Sequence, residues 1–275
     1  MILIAGGEND FNLQNIIQRC EEQGIETCLL LTAEKDVPQI TWHLLEDKLI
    51  INGKTVCPQA VFIRQDVFST PYEKATVWYE MMRSWMFSHT SATCFNREYI
   101  GMNKAYNLLQ AHRVGLRIPE TVISNYHNIL VMLDTSAYIV KPAIGGAYTV
   151  TLEQYMEEKD KETPVFIQNK LISPEIRIFG IGTALFAFRL TSTMLDYRVD
   201  NATKIEFVEV PQAVGTKQLE LMSKLCMNFC AVDYKTDPNN NELVFLEINS
   251  SPMFGAFDQV SENAISKAMV KFLTI

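Results

Sequence analysis

Apolar and polar positions fall along this chain in blocks whose spacing predicts its elements. The opening run "MILIAG" is apolar throughout, "DFNLQNIIQRCEEQG" returns apolar residues at helical spacing, and "IETCLLLT" resumes a continuous apolar run. Strand, helix and strand in that order predict a β-α-β unit and a parallel α/β lobe. "LLEDKLIINGKTV" reads as a hairpin turning at Asn52-Gly53, residues that accept the positive φ of a tight turn. "QAVFIRQD" follows as a strand with Arg64 near its carboxyl end, where α/β lobes collect ligand groups. A ligand contact and a surface ion pair both stand open for Arg64. "TPYEKATVWYEMMRSWMFSHT" predicts a helix whose Met and aromatic residues cover more than one stripe. Core packing explains most of them, and the surplus is the one feature pointing to a lobe interface or a homodimer.

The second half predicts further elements. A helix in "NREYIGMNKAYNLLQAHRVGLRIPETVIS" stops at Gly115 before a short strand, and "AYIVKP" and "PVFIQNKLIS" are strands around an "IGG" loop. "EIRIFGIG" and "ALFAFRLTS" form an antiparallel hairpin about Gly182, and "KIEFVEV" adds a strand. A helix "TKQLELMSKLCMNF", strands "CAVDYKTD" and "VFLEINSSP", and a helix "SENAISKAMVKFL" end the chain.

Two of these strands carry groups that a buried strand should not carry. In "VFLEINSSP" the carboxylate Glu247 and the amide Asn249 stand two apart and so share a face. Asp233 interrupts "FCAVDYK" in the same way, and the turn formers "TDPNNN" between the runs predict adjacent antiparallel strands. Three oxygen donors without thiol or imidazole suit a hard cation such as Mg²⁺. A hydrogen-bonded polar cluster that pins strand register is the alternative. Lys104, and Lys141 at the end of "AYIVK" before a small-residue loop, offer ammonium groups for phosphate and favour the metal reading. Glu175 and Arg177 share one strand face, and Arg189 is a lone cation among apolar neighbours, so both arginines require anionic company. Asp196 and Arg198 in "DYRVD" either position substrate or pair with each other.

Composition narrows the partners. The chain has 275 residues, 48% of them hydrophobic, with a net charge of −8. That is enough for two or three lobes, and it argues against a nucleic-acid binder working through a general basic surface. No run of about 18 apolar residues predicts a membrane span. The start lacks the pattern of a secretion signal, and six scattered cysteines read as reduced thiols, so a cytoplasmic protein is expected. Cys226 and Cys230 stand four apart in a predicted helix, with no partner ligands to complete a metal site. None of the four histidines has triad or zinc spacing.

The ordered motifs "NK…GLRIPET", "VKP…GG", "FIQNKLI…EIRIFGIG", "FAFRL…DYR", "AVDY" and "FLEINSSP" resemble the ATP-grasp superfamily over nearly the whole chain. The "FNR…NK" and "FR…DYR" segments look most like its peptide-modifying branch, the microviridin or graspetide-type macrocycle ligases and the glutamate-adding peptide ligases. The resemblance implies an α/β and α+β chain. Its parts would be a Rossmann-like pre-ATP-grasp domain at 1–100, a small lobe at 101–171 and a C-terminal lobe at 172–275. It implies that Lys104 and Lys141 bind nucleotide phosphates under a loop of Gly145 and Gly146. Adenine would meet the Gln168 side chain and the backbone of Lys170 and Leu171, with the ribose near Glu175. Arg177 and Arg189 would face the reacting groups, and Asp233, Glu247 and Asn249 would hold Mg²⁺. The implied reaction is ATP-dependent joining of a carboxylate to an amine or hydroxyl on a peptide or amino-acid substrate, through an acyl phosphate. A dipeptide ligase, a kinase on this fold and a non-catalytic nucleotide binder are the alternatives. The chain departs from the pattern at Asn169, in the short "IGG" loop, and in "NSSP", where relatives commonly carry "NP.G".

Overall fold

The computed structural model describes residues 1–33, 38–67, 71–101, 103–126, 132–143, 148–157, 162–192 and 202–275. β1 (Ile2–Gly7) is buried at every position and pairs in parallel with β2 (Thr27–Thr32) and β6 (Ala60–Ile63). α1 (Phe11–Glu22) connects β1 to β2, and the Asp10 carboxylate caps it by accepting from the Asn12 N–H at 2.9 Å. α2 (Tyr72–Ser88) leads from β6 to β7 (Thr93–Cys94), completing a parallel sheet of order β2-β1-β6-β7. Met82, Trp85 and Met86 of α2 pack into the core of this sheet, whereas Val77 and Phe87 remain exposed.

The expected hairpin forms between β4 (Lys48–Ile51) and β5 (Lys54–Val56), with Asn52 and Gly53 at φ 47° and 76°. "LLED" is not strand, however. It is a turn after β3 (Ile40–His43), which the periodicity did not indicate, and Leu44 and Leu45 are exposed.

α3 (Lys104–Arg113) precedes a second, antiparallel sheet of order β10-β9-β11-β8. Its strands are β8 (Thr121–Ser124), β9 (Tyr138–Pro142), β10 (Val150–Thr151) and β11 (Val165–Asn169), with the short helix α4 (Leu152–Glu157) between the last two. Lys170 and Leu171 carry the chain into the third sheet, of order β14-β13-β12-β15-β16 and antiparallel throughout. Here β12 (Ile172–Ile181) and β13 (Ala184–Thr191) form the hairpin at Gly182, and β14 (Lys204–Val208), β15 (Phe229–Thr236) and β16 (Leu243–Asn249) complete the sheet. α5 (Gln212–Lys224) precedes β15, and α6 (Gly255–Val260) and α7 (Ala264–Leu273) follow β16.

One face of this five-stranded sheet shares a core with the N-terminal lobe, where Phe179, Phe188 and Phe229 meet Ile4, Leu13 and Phe62. The opposite face packs Ile178, Val232, Tyr234 and Phe245 with Leu108 of α3 and Leu221 of α5. α5 stops at Lys224, earlier than its apolar spacing suggests. Cys226 takes a left-handed turn at φ 55° and is exposed, while Cys230 is buried in β15, so the two thiols do not share a helix face. Among the described residues no helix is long and apolar enough to cross a membrane.

Candidate functional site

The register of the five-stranded sheet sets Arg177, Asp233 and Glu247 side by side on β12, β15 and β16. Directly opposed residues project from the same face, so the three side chains form one row. Arg177 donates to both oxygens of Asp233, at 2.6 and 2.7 Å, and its guanidinium lies 5.4 Å from the Phe257 ring centroid. Asn249 stands opposite Ala231 on the same face and donates to Glu247 Oε1 at 3.3 Å.

A β-bulge makes this row possible. The pairing jumps from Asp233–Glu247 to Tyr234–Phe245, so Leu246 has no opposite residue. In an unbroken strand Phe245 and Glu247, two apart, would share a face. With one residue inserted, Glu247 joins Asp233 while Phe245 is fully buried in the opposite core.

Lysines surround the row. Lys104, the first residue of α3, lies 3.5 Å from Glu247, and both are half-buried. Lys235, two residues beyond Asp233, stands opposite Glu175 at 3.6 Å. Lys141 on β9 is within electrostatic reach of Glu247, Lys104, Lys235 and Glu175. Burial pushes the Lys141 amine down, the Glu247 charge opposes this, and the two neighbouring lysines push it down further. Burial alone would raise Glu247, but Lys104 first and then Lys141 outweigh it and hold the carboxyl below the usual range. Glu175 is pushed up to about 7 by burial and then by the Asp233 charge. Lys235 escaped the sequence reading, although its i+2 spacing from Asp233 was the signal available.

At the junction of the second and third sheets, Gln168 is buried on β11 and donates to Thr121 Oγ1 at 3.0 Å. Its Oε1 is buried with no hydrogen-bond partner among the described residues, an acceptor left for something else. The Lys170 N–H is already committed to the Ala137 carbonyl at 2.8 Å, which leaves the Lys170 carbonyl.

Other expected residues lie elsewhere. Arg189 stands opposite Ile176, so it projects from the other face of the sheet and the register does not bring it together with Arg177. It is exposed and stands opposite Glu206 of β14. Arg64 is neither a surface pair nor at the row. It is buried against Asp10 at 2.8 Å and donates to the Pro252 carbonyl at 3.0 Å and Ser251 Oγ at 3.3 Å, bolting the chain after β16 to the N-terminal lobe. The "FNR" tripeptide has structural duties. Phe95 packs in the shared core, Asn96 donates to the Phe229 and Ser250 carbonyls, and Arg97 donates to the carbonyls of Met86, His89 and Ala92 around the end of α2. Gly145, Gly146, Asp196 and Arg198 lie outside the described residues.

The donor set can be tested against a metal. No three His, Cys, Asp or Glu side chains gather as a metal site among the described residues. The set consists instead of two carboxylates and an amide oxygen. These hard ligands fit Mg²⁺, which retains waters and phosphate oxygens in its shell. Asp233 would share its remaining lone pairs while Arg177 holds its orientation.

No family model and no curated protein matches the chain. Solved structures do. The ATP-grasp ligase PsnB, complexed with a minimal precursor, matches with a TM-score of 0.81 at 18% identity, over 99% of this chain and 97% of that one. The macrocyclase MdnC from Microcystis aeruginosa MRC, bound with precursor peptide MdnA, matches at 0.77 and 17% over the full length of both chains. A RiPP-associated ATP-grasp ligase from Chryseobacterium gregarium, in complex with ADP and a leader and core peptide, matches at 0.77 and 20%, over 99% of this chain and 96% of that one. Similarity at this identity carries architecture: the chain has the ATP-grasp fold.

Proposed function

We propose that this chain is an ATP-dependent ligase that joins a carboxylate to an amine or hydroxyl of a peptide substrate, and that it divides into parts near residues 100 and 171. The observation that carries the reading is the gathering of Lys104, Lys141 and Lys235 around a row of Arg177, Asp233 and Glu247, where the second and third sheets meet. With Arg177 and Glu175 counted, four cations stand beside three carboxylates, so the cluster keeps a positive excess. It suits a polyanion that arrives with its own divalent cation.

In this reading Lys104, Lys141 and Lys235 neutralise phosphate oxygens, and the unpartnered Gln168 Oε1 accepts from an adenine amino group. Asp233, Glu247 and Asn249 would hold Mg²⁺, which when bound offsets the charge of the triphosphate. Arg177 fixes both oxygens of Asp233, so that little reorganisation is needed at the moment of reaction. The substrate carboxylate attacks the γ-phosphorus of ATP, the bond to the bridging oxygen breaks, and ADP leaves. An amine or hydroxyl then attacks the acyl carbon and expels inorganic phosphate with loss of its proton. Similarity to peptide-bound ligases favours a peptide over a free amino acid.

The test is co-expression with candidate precursor peptides, including any short peptide found encoded beside the gene, followed by mass spectrometry and an ADP-release assay. Loss of one water mass per bond formed, with stoichiometric ADP, is the expected result. Phosphate transferred to the peptide without ligation would make the chain a kinase, and Mg²⁺-dependent nucleotide binding without turnover on any peptide or amino acid would make it a regulator.

A further inference from the structure

Between α2, residues 95–101 and the chain just past β16 lies a cavity of about 660 Å³. That is within the roughly 300–1,000 Å³ of small-ligand pockets. Ser250 and Ser251, which immediately follow Asn249, form one end, so the cavity adjoins the strand that carries Glu247. None of the lysines, carboxylates or amides of the nucleotide cluster lines it. Whatever occupies it therefore lies beside the reacting centre and not at it.

The walls have a definite chemistry. Tyr79 and Phe87 of α2 supply aromatic surface, and the Arg83 guanidinium sits 5.5 and 5.3 Å from their ring centroids. Its ion pair with Glu80, one turn away at 2.9 Å, is an exposed contact of slight energy and easily exchanged. Cation–π contact with two rings holds the guanidinium while leaving N–H groups for a carboxylate. The second lining cation, Arg97, is used up on backbone carbonyls, and among the described residues Glu98 is the single lining acid. In a chain of net charge −8 the described lining thus holds two cations to one acid, with Glu80 outside it as the exchangeable partner of Arg83.

We propose that the cavity seats an acidic segment of the peptide substrate, with a flanking, non-reacting carboxylate on Arg83 and a neighbouring apolar side chain on Tyr79 and Phe87. This rests on the peptide-ligase reading and adds to it a sequence preference beside the reacting residue. The probes are fluorescein-labelled octapeptides carrying three glutamates in a Gly, Ala and Phe frame, and their glutamine counterparts, titrated by anisotropy onto the full chain without nucleotide. The glutamate peptides should bind at least tenfold more tightly than the glutamine ones. Arg83→Glu should erase that preference and Arg83→Lys should keep part of it. Arg83→Gln serves as the neutral variant if Arg83→Glu loses its thermal transition. Mg²⁺-dependent ADP binding, measured calorimetrically on the same proteins, should not change. Acidic-peptide binding in a chain that binds no nucleotide would sink the ligase reading and leave the cavity assignment standing. Equal or absent binding of the two peptide sets, a preference that survives Arg83→Glu, or self-association that Arg83→Glu abolishes would each overturn the assignment.

Discussion

Replacing Glu247 by Gln separates the two things its carboxylate does. Without nucleotide it offsets Lys104 at 3.5 Å and Lys141 nearby, and these lysines together hold it ionised. With nucleotide it would contribute negative charge and an oxygen to Mg²⁺. Gln preserves the volume and one oxygen but removes the charge. Loss of a group that only orients a ligand costs about 10–100-fold in metal affinity, so loss of a charged ligand should cost at least that, or about 1.4–2.7 kcal/mol. The lysines, left without their counter-ion, should meanwhile bind a bare polyanion better. Glu247→Gln is therefore expected to weaken ADP binding in millimolar Mg²⁺ by tenfold or more and to strengthen it in EDTA, so that the two isotherms converge. Isothermal titration of wild type and variant in both buffers measures this. A variant whose Mg²⁺ dependence matches wild type would remove Glu247 from the metal site, and one that loses affinity equally in both buffers would show only damage to the fold.

Two further outcomes follow from the geometry. Arg64→Met leaves the Asp10 carboxylate and the Pro252 carbonyl buried without their donor, although Asn12 still serves Asp10, so urea unfolding should show a loss of about 3 kcal/mol, and a change under 1 would contradict the bolt. Glu175 titrates near 7 in the folded chain against 4.5 as its ordinary value, so the folded state binds the extra proton between those pH values. Without nucleotide, stability should therefore fall as pH rises from about 4.5 to 7 and level off above, by a few kcal/mol at most, and Glu175→Gln should flatten that slope in pH-dependent melting.

What could be read without coordinates depended on whether the signal was local. β1-α1-β2, α2 and the Asn52-Gly53 hairpin are legible because their periodicity and turn chemistry lie within one window. The carboxylates of β15 and β16 were legible because an acid inside an apolar run is costly to bury unpaired. The bulge at Leu246 was not, since an inserted residue shows itself only in register with a partner strand. Arg189 was misjudged for a related reason: a lone cation in an apolar strand announces that it needs company, not which face it occupies. Arg64 looked like a ligand or surface residue because the groups that bury it, Asp10 and Pro252, lie 54 and 188 positions away. The short elements β3, β7, α4 and α6 are stabilised by tertiary packing more than by propensity, and short segments carry too little periodicity to stand out.

The position of β16 explains why the N-terminal lobe belongs to the site. Among the described residues β16 is an edge strand, which leaves Glu247 and Asn249 open to a ligand but also leaves one side of the strand without a sheet partner. Compensating contacts come from outside the sheet. The Phe245 N–H donates to the Arg117 carbonyl at 2.8 Å, Lys104 of α3 faces Glu247, Asn96 holds the Ser250 carbonyl at 2.9 Å, and Arg64 holds that of Pro252. Asn96 and Arg64 precede the residues of the second and third sheets, yet they fix the chain within three residues of Asn249. An edge strand pinned along its open side can present oxygen donors at a fixed spacing, whereas a free edge would have to be ordered by the ligand at the ligand's expense in affinity. The parallel α/β lobe thus acts on the proposed site through two side chains and the backbone carbonyls they grip, with none of its own groups among the described residues of the charged row.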